Sequence, residues 1–286
     1  MSNGINKRQN EDNSIAMLAA QRQLYDNAKR LSIITMMFSV IIPFSLSIVL
    51  LFVSRDSLWR TMPYICSIAS MCVSFVTAKY IKDDKCLAAT IQQKFDTYVY
   101  SMPWDRRIFG DDKNLNAKVT QYSKKILSKE AKHSALENWY TSAVDEKPIK
   151  EGILACQREN YTWDVGLRKR FRLFSKASAS ILCICVFAVG VCDRESVSEL
   201  IYRIAFVIPV IRWMLDAVKK LNDDIENMSR LDAVINSSKK KSMEDLQDVQ
   251  KMLFDHRKSC FLIPDFFYNL FKDNDEDLAH RTAMMQ

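Results

Sequence analysis

The chain has 286 residues, 48% hydrophobic and 26% charged, with a net charge of +7, an ordinary profile for a soluble protein if those residue types were evenly mixed. They are segregated instead: residues 31–53 carry no charge, whereas residues 216–241 are crowded with it. The 5 glycines are isolated from one another, which excludes a glycine-rich phosphate cradle, and 3 histidines and 8 cysteines without a CxxC or HExxH pattern leave little for metal or hydrolytic chemistry.

Residues 1–30 are polar and read as a cytoplasmic N-terminal helix. Residues 31–53 are Leu, Ile, Val, Met and Phe diluted by Ser, Thr and Pro43, longer than the roughly 20 residues needed to cross a bilayer. The expectation is a transmembrane helix kinked at Pro43. Its length and the polar residues before it argue against a cleaved signal peptide. A second apolar run, residues 59–80, follows a tight turn holding Arg55 and Asp56; a third, residues 177–192, is joined by a charged turn to a fourth, residues 200–218. Two transmembrane hairpins result, 31–80 and 177–218. The fold class expected is an all-α integral membrane protein, with a cytoplasmic helical insert over residues 81–176 and a helical tail over residues 219–286.

Periodicity supports helices in the insert. Ala88, Ile91, Phe95, Tyr98 and Met102 recur at intervals of three and four until Pro103, so the second span is expected to continue as a stalk. Leu115, Val119, Tyr122 and Ile126 repeat the pattern, and Pro148 is placed to start a further helix through Ile149, Ile153 and Cys156. In the tail, Leu221, Ile225 and Met228 line one face, residues 237–241 break it, and Leu246, Val249 and Leu253 resume it. Lysines and arginines gather at Lys7, Arg8, Arg22, Lys29 and Arg30, at Lys79, Lys82 and Lys85, at residues 168–176, and at Lys219 and Lys220. The positive-inside rule then puts both termini and the insert in the cytoplasm. Cys183, Cys185 and Cys192 lie on an apolar span without a nearby histidine, so no metal site is expected there.

Several motifs resemble those of the SMODS-associated four-transmembrane effectors. They are Gln9-Asn10, Leu18-Ala19-Ala20-Gln21-Arg22-Gln23-Leu24-Tyr25 and Ala28-Lys29 ahead of a span with central Ile42-Pro43; Ile91-Gln92-Gln93-Lys94-Phe95-Asp96 and Pro103-Trp104-Asp105; Trp139-Tyr140; Cys156-Gln157-Arg158-Glu159-Asn160, Trp163-Asp164 and Leu167-Arg168; and Pro264-Asp265-Phe266-Phe267-Tyr268. One departure is the acidic stretch Asp273, Asp275, Glu276 and Asp277 after the last block. The resemblance implies a pore-forming effector of CBASS-type anti-phage signalling in the bacterial inner membrane. It implies no catalytic residue and no cofactor, but a cyclic di- or trinucleotide from a cognate synthase as activating ligand.

The insert's composition is compatible with that ligand, which needs cations for phosphates, aromatic faces for bases and amides for base edges. Trp104, Trp139, Tyr140, Tyr161 and Trp163 supply faces; Arg106, Arg107, Arg158 and Arg168 supply charge; Gln157 and Asn160 supply amides. No nucleic-acid polymer is expected as a partner. The N-terminal run around Gln21 to Tyr25 reads as a gate-coupling or assembly helix. In the fourth span, Arg203 and Arg212 are the pore-lining candidates, because cations are costly in hydrocarbon unless they face water or a partner. One monomer's four helices are too few to enclose a conduit, so a homo-oligomer is expected, with a tetramer as the leading symmetric solution. The alternative is a membrane-anchored scaffold without a pore.

Overall fold

The computed structural model describes residues 2–50, 61–192, 197–237 and 242–271, and among them every regular element is helical. The hairpin turns with Arg55, Asp56 and Arg194, the lysines 239–241 and the acidic stretch after residue 271 lie outside the described residues, as does the side chain of Arg203. In chain order the helices are α1 (Ile5–Gln9), α2 (Asp12–Met36), a π-turn (Met37–Ile41), α3 (Ile42–Leu50), α4 (Met62–Val99), α5 (Arg106–Phe109), α6 (Leu115–Leu127), α7 (Glu130–Ser134), a 3-10 turn (Ser142–Glu146), α8 (Ile149–Cys192), α9 (Val197–Asn236) and α10 (Met243–Ser259).

Among the described residues, two helical stretches are long and apolar enough to cross a membrane, Asp12–Leu46 and Ile149–Cys192. Their partners α4 and α9 are helical through the second and fourth apolar runs, and exposed apolar side chains continue over all of them: Ile34 and Phe38, Ile68 and Phe75, Ile184 and Phe187, Ile201 and Ile208. Phe75 at 84% exposure and Ile184 at 66% have no protein interior to enter. Soluble surfaces rarely carry an apolar area of that extent. Helices α4, α8 and α9 contain 38, 44 and 40 residues, so they are about 57 to 66 Å long at a rise of about 1.5 Å per residue. That is about twice the roughly 30 Å of a hydrocarbon core, and the part of each helix outside its apolar run forms a stalk.

At Pro43 the expected kink takes the form of the π-turn. Proline has no N–H to donate to the carbonyl one turn earlier, and the widened turn Met37–Ile41 precedes it directly. Ser39 there meets the Ser74 hydroxyl at 3.1 Å and the Ser70 hydroxyl at 3.0 Å across to α4, and Thr35 meets Thr77 at 2.6 Å. A ladder of hydroxyls thus joins the two helices where apolar packing offers no preference over lipid.

The projecting body is built from all parts of the chain. Its main core unites Ile5, Leu18 and Leu24 with Phe95, Tyr100, Ile126, Tyr140, Ile153 and Leu246. A second cluster packs Val165 of α8 against Met228, Leu231 and Ile235 of α9 and Val249 and Leu253 of α10. A third joins Leu167, Phe171 and Leu221 to Ile263 and Phe267. The insert therefore does not close a core of its own; the N-terminal helix and the tail complete it. Gly152 allows the closest approach in this body, since a Cβ there would lie 2.5 Å from Asn3 Nδ2 and 3.0 Å from the Val144 carbonyl. Helix α10 starts with a capping box in which Ser242 and Asp245 satisfy each other's backbone N–H groups.

Candidate ligand pocket

Where the stalks leave the apolar region, a cavity of about 750 Å³ opens between α2, α8, α10 and the segment that follows α10. That volume lies within the range of small-molecule sites. Gln21, Arg22, Tyr25, Asp26 and Lys29 line it from α2; Glu159, Asn160, Trp163, Asp164, Leu167 and Arg168 from α8; Leu253, His256 and Arg257 from α10. Gln92 of α4 and Met228 of α9 complete the contribution of the long helices, Glu137 to Tyr140 form one wall, and residues 260–269 form another. A second depression of about 700 Å³ between α2 and α6 is lined by a single cation, Lys124, and no aromatic ring.

The floor of the larger cavity is a tied network. Asp164 accepts from Arg168 Nε at 2.7 Å and meets His256 Nε2 at 2.6 Å, while Arg168 Nη1 donates to Asp224 at 2.6 Å and to the Phe261 carbonyl at 3.1 Å. Burial opposes the charge on Asp164, but the Arg168 guanidinium and the His256 ring outweigh it and hold the carboxyl well below the usual range. Asp96, completely buried, accepts from Tyr140 Oη at 2.7 Å, Gln250 Nε2 at 2.7 Å and Arg257 Nη1 at 2.5 Å. Asn160 Nδ2 in turn donates to Tyr140 Oη at 2.9 Å. These charges are spent on one another and orient the walls.

Other lining groups retain capacity. Arg22 is half-buried and makes no hydrogen bond or ion pair among the described residues. Among the described residues, Gln21 Oε1, His256 Nδ1 and Arg257 Nη2 are buried without a hydrogen-bond partner, a costly state for polar atoms. Lys29 pairs with Asp265 and lies 5.6 Å from the Tyr268 ring centroid. Trp163 meets Tyr268 edge-on at 5.3 Å, and Trp139 packs half-buried on the main core. Burial pushes the Glu159 carboxyl up to about 7, although the Thr141 N–H donates to it at 3.3 Å.

Of the residues singled out in the sequence, Trp139, Tyr140, Asn160, Trp163 and Arg168 converge on this cavity, and Arg168 and Tyr140 serve its framework. The others lie elsewhere. Trp104 donates to the Gly110 carbonyl at 2.9 Å and packs on Phe109; Arg106 and Arg107 are exposed beside Asp112 and Asp105. Gln157 is buried against α10, donating to the Leu246 carbonyl at 2.9 Å. Arg158 donates to Asn236 of α9 at 3.2 Å, and Tyr161 packs in the second cluster. Arg212 and Asp216 are both exposed, and no ion pair joins them among the described residues. Gln21, Arg22, His256 and Arg257 were not among the ligand candidates read from the sequence. For the first two the Gln21-Arg22 motif was the available signal; for His256 and Arg257 nothing local marked them. The lining is also balanced in charge, with Asp26, Glu137, Glu159, Asp164 and Asp265 facing Arg22, Lys29, Arg168 and Arg257.

A curated relative, a probable CBASS effector molecule of Bacillus cereus (strain VD146), is 22% identical over 288 residues, covering 95% of this chain and 94% of its own. No solved structure matches. The family model of the SMODS-associating 4TM effector domain matches residues 3–285, essentially end to end, and the chain belongs to that family.

Proposed function

We propose that the chain is a membrane effector of CBASS anti-phage defence that binds a cyclic di- or trinucleotide in this cavity and responds by opening a homo-oligomeric pore. The observation that carries the reading is that α2, α4, α8 and α9, which continue into the four apolar runs, all contribute to the cavity wall. A ligand there sits among all four stalks, and any preference for one stalk arrangement shifts the apolar ends with it. Arg22 meets a phosphate, Trp139 and Trp163 offer faces to bases, and Gln21 and Asn160 read base edges. The four runs cross the bacterial inner membrane as two hairpins with both termini in the cytoplasm, where the nucleotide is made. Of Arg203 and Arg212, which are nine residues and so half a turn apart on α9, one lines the conduit formed by several copies.

The test is a panel of cyclic di- and trinucleotides against the purified full chain, followed by ion flux from liposomes. Arg22→Ala and Trp163→Ala are each expected to weaken binding about tenfold, the usual cost of one charge-assisted contact or one stacked base. Arg106→Ala, outside the cavity, is expected to bind as the parent does. Equal binding by all three variants, or no binding by any panel member, would remove the cavity from the sensing role.

A further inference from the structure

Residues 265–271 form a short helix that closes one wall of the cavity, and its faces differ in character. Phe267 is buried, with ring-centroid distances of 4.9 Å to Phe171 and 5.4 Å to Phe174 of α8. Phe266 and Leu270, one turn apart on the adjoining face, are 61% and 69% exposed. Phe174, 46% exposed beside this helix, joins its apolar face to the apolar surface of α8.

The depth of this helix follows from its partners. Phe171 and Phe174 precede the apolar run that begins at Ala177, which puts the docked helix about 4 to 9 Å outside the hydrocarbon at about 1.5 Å per residue. The headgroup layer on each side of a bilayer is about 5 to 7 Å thick. Cations collect at that level: the Arg170 guanidinium lies 4.9 Å from the Phe271 ring centroid, and Lys176, Lys219 and Lys220 are exposed on α8 and α9. The one carboxylate on the helix's first turn, Asp265, is neutralised by Lys29. An apolar face rimmed by cations at headgroup depth has the chemistry of an interfacial membrane helix.

We propose that residues 265–271 dock on the lipid headgroup surface through Phe266 and Leu270 and so hold one wall of the ligand cavity against the membrane. The proposal rests on α8 crossing the bilayer, and not on which ligand fills the cavity. Its test uses the full chain in phosphatidylethanolamine and phosphatidylglycerol vesicles, with the photoreactive benzoylphenylalanine placed at Phe266, at Leu270, at Phe187 within the apolar run of α8, or at Ile108 far from it. Lipid adducts are expected at the first three positions and not at Ile108. Adducts at Phe187 but not at Phe266 or Leu270 overturn the proposal, as do cross-links from those two positions to a second copy of the chain in place of lipid. Absence of lipid adducts at Phe187 takes α8 out of the bilayer and the proposal with it. Nucleotide binding measured on the same preparations reports separately on the cavity.

Discussion

Glu159 shows how a single cavity residue can be costly to the fold. Its carboxyl is buried at 8% exposure and pushed up from 4.5 to about 7. An acid whose folded value is raised holds its proton in the native state after the unfolded chain has lost it, so stability falls as pH rises through that window and is level above it. Glu159→Gln is therefore expected to change thermal stability little at about pH 5 and to raise it by about 2 to 3 kcal/mol at about pH 8. Equal effects at both pH values in parallel melts would contradict the burial argument. Asp164 behaves oppositely. Its charge is held chiefly by Arg168, and Asp164→Asn leaves that buried guanidinium with Asp224 alone, an expected loss of about 3 kcal/mol in a denaturant titration. Aromatic and arginine content marked the central segment as a sensor in the sequence. The saturation of Arg168 by Asp164 and Asp224 is invisible there, because Asp224 stands on a different long helix.

At the scale of elements, each long helix joins an apolar half to a packed half, and what matters is how the two are connected. The π-turn before Pro43 lies between the cavity-lining part of α2 and the apolar end α3. Pro43→Ala restores a donor to the backbone ladder and is expected to favour regular α-helix through residues 37–41. If the π-turn is the joint through which the first stalk moves, ligand-triggered flux in liposomes falls while nucleotide affinity stays within about twofold, about 0.4 kcal/mol against the roughly 1 to 3 kcal/mol of coupling common in allostery. Gly152 tests packing in the other half. Gly152→Ala drives a methyl group into Asn3 and the Val144 carbonyl, with an expected destabilisation of about 1 to 3 kcal/mol. An unchanged melting temperature would mean that α1 and the 3-10 turn yield without cost.

For the whole molecule, the hairpins are paired by their stalks as much as by their apolar ends, since the main core takes side chains from α1, α2, α4, α6, α8 and α10 together. Reporter tags near Asp56 and Glu195 are expected to be reachable from outside the inner membrane, and tags near Lys113 and Lys239 only from within. Exposure of the Lys113 tag on the outer face would put the cavity on the wrong side for a cytosolic ligand. The tail is part of the body: Leu246, Val249, Leu253 and Phe254 are all buried. A chain ending before Ser242 is thus expected to lose the cavity and much of the core, seen as rapid proteolysis of the stalks in membranes that retain the intact chain.

What the sequence by itself determined were the local properties. Charge-free runs, the three-and-four spacing of apolar residues and the prolines at 43, 103 and 148 are near-neighbour signals, and the helices they mark are found: α4 does run from the second apolar segment into a stalk, and α8 starts directly after Pro148. Which residues would share a pocket was a different kind of question. Trp139, Asn160 and Trp163 came within reach of sequence reasoning because their chemistry is conspicuous. Arg22, His256 and Arg257 join them only because α2 and α10 pack against α8. Such pairings bring together segments about ninety or more residues apart and are set by side-chain complementarity in three dimensions, so no spacing along the chain encodes them, and the tertiary structure alone decided where the cavity is.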